Sequence, residues 1–284
     1  MLARAPPAAR PALPQHTCGS HKGGVRSIRR PNREGLELMG LFDIFKGKSD
    51  AKPKARDKDI ARMTKLVSTK MSQNYDRQEA LEELGRIETA QSAAALLKRF
   101  DWTMEPSITD QEEKETAMRG IIAAGEEALD PIREHCKRAE SLTWPLRTLR
   151  GIVSEDSYAE ELLGILDLFD AEYVRNPEPK IQLIALLEEL PSADVRIAVE
   201  PFLQDASEPV RFAAVTTVFA MNDAESVESL IAALVEEESL RVRNRIAQGF
   251  ADRSWDVPES MLDSAREALP PEYALDGGKI VRVG

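Results

Sequence analysis

The chain has 284 residues, of which 31% are charged, 42% hydrophobic and 5% aromatic, and it carries a formal net charge of −11. That length suits one large domain or two modest ones, and no run approaches the ~18 consecutive apolar residues of a transmembrane helix. Two cysteines cannot build a disulfide framework, which fits a reducing cytoplasm. The excess of 49 Asp+Glu over 38 Lys+Arg speaks against a nucleic-acid backbone as the main partner. So few aromatic residues speak against a large aromatic-lined pocket.

Residues 1–38 form a basic segment of net +5, which leaves −16 for the remainder. Rich in Pro, Ala, Gly and Arg and without apolar periodicity, it is expected to be disordered. An organelle transit peptide, a basic interaction arm and an upstream extension with the working start at Met39 are its three readings. Its prolines oppose the amphipathic helix of a transit peptide, and the extension reading is preferred. In residues 39–56, Leu41, Phe42, Ile44 and Phe45 share one side of a short helix that a charged linker follows. Weak membrane-surface contact through 40–46 is one reading of this plug. Folding back as a cap is the preferred one, because about two turns of helix hold a bilayer poorly.

From residue 57 onward, helical stretches recur in pairs. Glu208-Pro-Val-Arg-Phe-Ala-Ala-Val and Leu240-Arg-Val-Arg-Asn-Arg-Ile-Ala are the clearest copies, with Arg211 and Arg243 in register. Cations at Arg77, Lys114, Arg147 and Lys180 continue the series backwards, each opening a helix with an apolar stripe such as Val242, Ile246, Gly249 and Phe250. A helix rich in inward Leu, Ile and Val precedes each one. The periodicity predicts six pairs: 57–73 with 76–87, 90–100 with 112–124, 127–138 with 143–153, 157–169 with 179–190, 193–204 with 209–220, and 224–236 with 240–252. A last helix near 258–269 closes the series. In the tail 270–284, Asp276-Gly277-Gly278 between apolar runs predicts a small hairpin.

Residues 57–268 resemble the HEAT-repeat family, in particular the short bacterial repeats of the phycobilisome-lyase-like kind. In that pattern a turn Asp precedes a Val-Arg pair by six residues, and the Asp–Arg pairs form a ladder between neighbours. Asp205 with Arg211 matches that spacing, and Glu237 with Arg243 matches it with Glu for Asp. The resemblance implies an all-α, right-handed, armadillo-like α-solenoid of about six HEAT-like helix pairs spanning 57–269, with a C-terminal capping helix and the hairpin tail. One such pair has a single apolar face, which only neighbouring pairs can cover.

Candidates for chemistry are few. His16, Cys18 and His21 have the spacing of three zinc ligands, but an accidental cluster is the preferred reading because no fourth ligand accompanies them. His135 and Cys136 are adjacent on a helix and point about 100° apart, which suits neither a dyad nor a shared metal. The His-Glu steps of iron-holding HEAT-like hydroxylases are absent, and so are phosphate-binding loops and nucleophile elbows. No catalytic residue, cofactor or metal is expected.

The long turns 101–111 and 170–179 fall between first and second helices, on one edge of the series. Trp102, Trp144 and Tyr173 are therefore expected to share a rim, either as contact anchors for a partner or as packing that seals irregular repeats. Arg241 and Arg245, one turn apart and opposite the Val242/Ile246 stripe, could grip an acidic partner or offset neighbouring glutamates. The functional expectation is a cytoplasmic, non-catalytic adaptor that binds a protein or peptide. The alternative is an accessory or enzyme of the chromophore-lyase-like class, holding a small molecule in its groove.

Overall fold

A computed structural model describes residues 57–283, which are mostly helical and end in a two-stranded hairpin. Segments 1–38 and 39–56, with the apolar plug 40–46 and the His16–Cys18–His21 cluster, lie outside the described residues. The helices are α1 (Asp57–Val67), α2 (Asn74–Ile87), α3 (Ala90–Leu97), α4 (Ser107–Ala124), α5 (Leu129–Cys136) and α6 (Thr143–Arg150). They continue with α7 (Glu155–Leu166), α8 (Glu178–Leu187), α9 (Ala193–Val199), α10 (Glu208–Met221), α11 (Val227–Glu236), α12 (Leu240–Arg253) and α13 (Leu262–Ala268). Short 3-10 turns extend α3 through Asp101 and α9 through Gln204.

Local chemistry explains many of these boundaries. Thr89 and Ser92 form a reciprocal capping box at the start of α3. The hydroxyls of Ser154 and Ser192 accept from the backbone N–H three residues on, opening α7 and α9. Pro179 and Pro209 sit in first turns, where the missing N–H costs nothing. The second helices α2, α10 and α12 end on left-handed residues, Glu88, Asn222 and Ser254.

Two expected boundaries move. Helix α1 stops at Val67 rather than 73, and α4 begins at Ser107, so the long turn expected at 101–111 shrinks to 102–106. The Asp110 carboxylate folds this turn back by accepting from Met104 N–H at 3.1 Å and from Lys114 Nζ at 2.8 Å. The turn before α8 stays long, reaching Pro177.

Packing follows chain order. Helix α2 lies against α1, α3 and α4; α3 against α5; α4 against α6; α8 and α9 against α10; and α10 against α12. One apolar cluster runs from Ile60 to Ile280 and includes the expected stripe residues Val210, Ala214, Val242, Ile246 and Phe250. Second helices meet closely at Gly120, where a Cβ would come 2.8 Å from Gly85 Cα, and at Gly249, where it would come 2.3 Å from the Phe219 ring. Strand β1 (Tyr273–Asp276) pairs antiparallel with β2 (Lys279–Arg282) through the positive-φ turn Gly277–Gly278. Strand β2 packs on α12 and buries Ile280.

Three of the recurring cations reach forward, whereas Lys114 donates to Asp110 Oδ2 within its own helix at 2.8 Å. Arg77 Nη2 donates to Glu113 Oε1 at 2.7 Å, Lys180 Nζ to Asp205 Oδ2 at 2.7 Å, and Arg211 Nε to Glu237 Oε2 at 2.7 Å. Arg243, in the last copy, donates instead to the carbonyl of Ala268 at the end of α13. The turn acids Asp205 and Glu237 therefore serve the preceding second helix, while Glu113 lies within α4, and Arg211 meets its own Asp205 through the backbone carbonyl, at 2.8 Å. Arg147 departs from the expected series. It is exposed, while its neighbour Leu146 is buried.

Replacing Gly120 by Ala should lower stability by about 1–3 kcal/mol despite better helix propensity, because α2 and α4 must separate. Chemical denaturation of the variant measures this loss.

Candidate functional site

Trp102 leads the short turn into α4, and two guanidinium groups lie close to its ring. The Arg99 guanidinium lies 3.7 Å and that of Arg77 5.3 Å from the ring centroid, and the indole Nε1–H donates to Val67 O at 3.2 Å. Beneath it, Arg99 donates to Glu113 at 2.7 Å and to Asp110 at 2.8 Å, so Glu113 bridges two arginines that are fully buried. Burial pushes the Asp110 carboxyl upward, but hydrogen bonds and charges from Lys114 and Arg99 outweigh it and hold the group below the usual carboxylate range. The same balance holds Glu237 below that range: burial raises it, and Arg211 with the Ser239 N–H overcomes the rise.

Trp144, in the first turn of α6, is half-buried and stacks on Phe100 at 5.7 Å, with Arg147 5.3 Å from its ring. Phe100, on which Trp144 stacks, lies two residues from Trp102. Tyr173 differs, being 77% exposed in the turn before α8. On α12, Arg241 lies 3.6 Å over the Phe212 ring and pairs with Glu208 at 3.2 Å. Arg245 is half-buried, donates to Thr216 at 3.3 Å and lies 5.4 Å from the Phe219 ring. Arg253 donates to the Phe219 carbonyl at 2.6 Å, and burial with the nearby Arg245 charge lowers its pKa.

Two features were not singled out in the sequence. Met71, Tyr75 and Ile108 are exposed large apolar residues at the heads of α2 and α4. A cleft of about 550 Å³ between these helices is lined by Tyr75, Gln78, Glu112, Glu115, Thr116 and Arg119. Helical periodicity could have found them, since Tyr75 and Ile108 lie off the buried stripes of their helices. A second cleft, of about 630 Å³, lies between α7 and α9 and is lined mainly by apolar residues such as Leu163, Phe169, Ile197 and Phe202.

Among the described residues no group of His, Cys, Asp and Glu is arranged to hold a metal, and no helix is long and apolar enough to cross a membrane. Burial pushes the Cys136 thiol up to about 12, which keeps it protonated and a poor nucleophile. His135 is 2% exposed and neither ring nitrogen has a hydrogen-bond partner. Its Nε2 is 3.5 Å from Asp101 Oδ1, close enough for charge attraction but too loosely placed for a hydrogen bond. No protein-family model matches this chain, and no curated protein matches it.

Burial holds the imidazole below its ordinary pKa; the Asp101 charge opposes this, and Lys98 and Arg138 add to it. Neutral His135 therefore supports the fold above about pH 6.5, and its contribution is lost as pH falls through the depressed value. His135→Leu should flatten that part of a stability–pH curve, leaving the carboxylate losses at lower pH. Glu113→Ala should cost about 3–5 kcal/mol in denaturant unfolding, because it strips the shared carboxylate from two buried arginines.

Proposed function

We propose that residues 57–269 form a right-handed α-solenoid of about six HEAT-like helix pairs closed by a capping helix, and that the protein is a non-catalytic adaptor acting in the cytoplasm. The observation that carries this reading is the forward pairing of cation and carboxylate between successive helix pairs, from Arg77 to Glu113, Lys180 to Asp205 and Arg211 to Glu237. A repeat that completes its neighbour in this way is the unit of a stacked array. The single apolar cluster and the contacts between successive second helices support the same reading.

An adaptor fits the chemistry on the page. The buried charged groups of the Trp102 region are engaged in ion pairs, the buried thiol is unreactive, and exposed side chains are suited to gripping. The partner is a protein or peptide, and the contact candidates are the turn edge around Trp102, Trp144 and Tyr173 together with Arg241 and Arg245 on α12. Within that set Tyr173 and Arg241 offer the most accessible groups, whereas the two tryptophans also hold the fold. The net negative charge steers a basic partner toward the protein and does not repel a neutral one, and salt weakens the attraction.

Affinity capture from the native host tests the reading, comparing the full chain with Tyr173→Ala and with Arg241→Ala/Arg245→Ala. A partner retained in stoichiometric amount and lost from either variant at unchanged melting temperature is the expected result. A full chain that retains no protein would overturn it. Trp102→Ala and Trp144→Ala should each lower the melting temperature by several degrees, because their rings are packed.

A further inference from the structure

We propose that the cleft between α2 and α4 binds a basic peptide in which Lys or Arg alternates with apolar residues. This deepens the adaptor reading and rests on it. Tyr75 lines the cleft and is 77% exposed, and two further apolar side chains at the heads of the same helices, Met71 at 84% and Ile108 at 70%, are exposed with no core to join. They stand out because the buried stripes of α2 (Ala80, Leu81, Leu84) and α4 (Ala117, Ile121) face the other way. Exposed apolar groups of this size gathered beside a cleft are the composition of a contact anchor rather than of ordinary surface.

Charge selects the occupant. The inward acids Glu113 and Asp110 are consumed by Arg77, Arg99 and Lys114. Glu112 and Glu115 line the cleft without an ion pair among the described residues, whereas Asp76 and Glu79 line a separate hollow against α1 and Glu82 pairs with Arg86 at 3.2 Å. Arg119 lies at the far end, where it donates to Thr116 at 3.0 Å. A cation entering near Tyr75 meets carboxylates and an aromatic ring, the same combination that Arg241 finds inside this fold between Glu208 and Phe212. An acidic peptide would meet like charge, and a second copy of this strongly acidic chain would bring the same acidic face.

Fluorescence anisotropy on the full chain tests the proposal, with two short fluorescein-labelled probes. One alternates Lys or Arg with Leu or Phe, and the other carries Glu at every basic position. The basic probe should bind saturably and at least about tenfold more tightly than the acidic one, a preference that shrinks as salt rises. Tyr75→Ala/Ile108→Ala and Glu112→Gln/Glu115→Gln should each weaken it about tenfold at unchanged melting temperature, since all four positions are solvent-facing or cleft-lining. Equal binding by wild type and both variants overturns the site. If Tyr173→Ala or Arg241→Ala abolishes binding instead, this site falls while the adaptor reading stands. Concentration-dependent dimers in sedimentation that disappear in Tyr75→Ala/Ile108→Ala would assign the cleft to a second copy and also overturn the proposal. Failure of the full chain to bind either probe overturns it as well, and the adaptor reading is then judged by the capture experiment alone.

Discussion

The pairing of a cation at the head of one helix with a carboxylate further along the chain is the constraint on which the rest of this structure depends. Arg77 and Lys180 are buried and Arg211 is partly buried at the heads of second helices, and each finds its carboxylate on the helices that follow. Removing one charge from water costs several kcal/mol, and only a well-placed opposite charge with further hydrogen bonds offsets it. The apolar stripes supply the driving force for association, but they tolerate sliding. The ion pairs do not, so they set the register of one pair against the next. Glu113 illustrates the economy of the arrangement, since it accepts from both Arg77 and Arg99 while the pair Asp110–Lys114 closes the short turn above it.

That use of charge governs which surfaces remain available. The tryptophans of the turn edge are drawn into the same construction, with Trp102 beside the Arg77 and Arg99 guanidinium groups and bonded to Val67, and Trp144 stacked on Phe100. Both tryptophans are half-buried, whereas the Tyr75 and Tyr173 rings and the apolar side chains of Met71 and Ile108 are exposed. Polar recognition is divided in the same way, because Arg241 already holds Glu208 whereas Glu112 and Glu115 face an open cleft. The proposed adaptor therefore combines an interior in which charges are paired with an acidic exterior on which a few apolar groups stand out.

Much of the helical order was legible in the residues. The paired periodicity placed helices close to their observed bounds from α2 to α13, and Asp276-Gly277-Gly278 placed the hairpin that β1 and β2 form. These features are local: a stripe every three to four residues, a serine before a helix and a glycine pair in a turn act over one or two turns of chain. Errors arose where a side chain's own contacts, rather than its spacing, set its place. The turn expected at 101–111 lost its second half to α4 because Asp110 reaches back to Met104. Arg147, placed in the cation series by its spacing, faces solvent because Leu146 occupies the buried position.

The sequence by itself determined the helical class, the number of recurring segments and which face of each is apolar, because each follows from side chains adjacent along a helix. It also determined that the recurring cations exist. Only the tertiary structure decided where those cations go, since the partner of Arg77 is thirty-six positions away and that of Arg211 twenty-six. Tertiary packing likewise decided that Trp102 and Trp144 are half-buried while Tyr75, Ile108 and Tyr173 are exposed. Exposure and ion pairing are properties of two surfaces brought together, and the strength of a charge depends on how much water its neighbours displace.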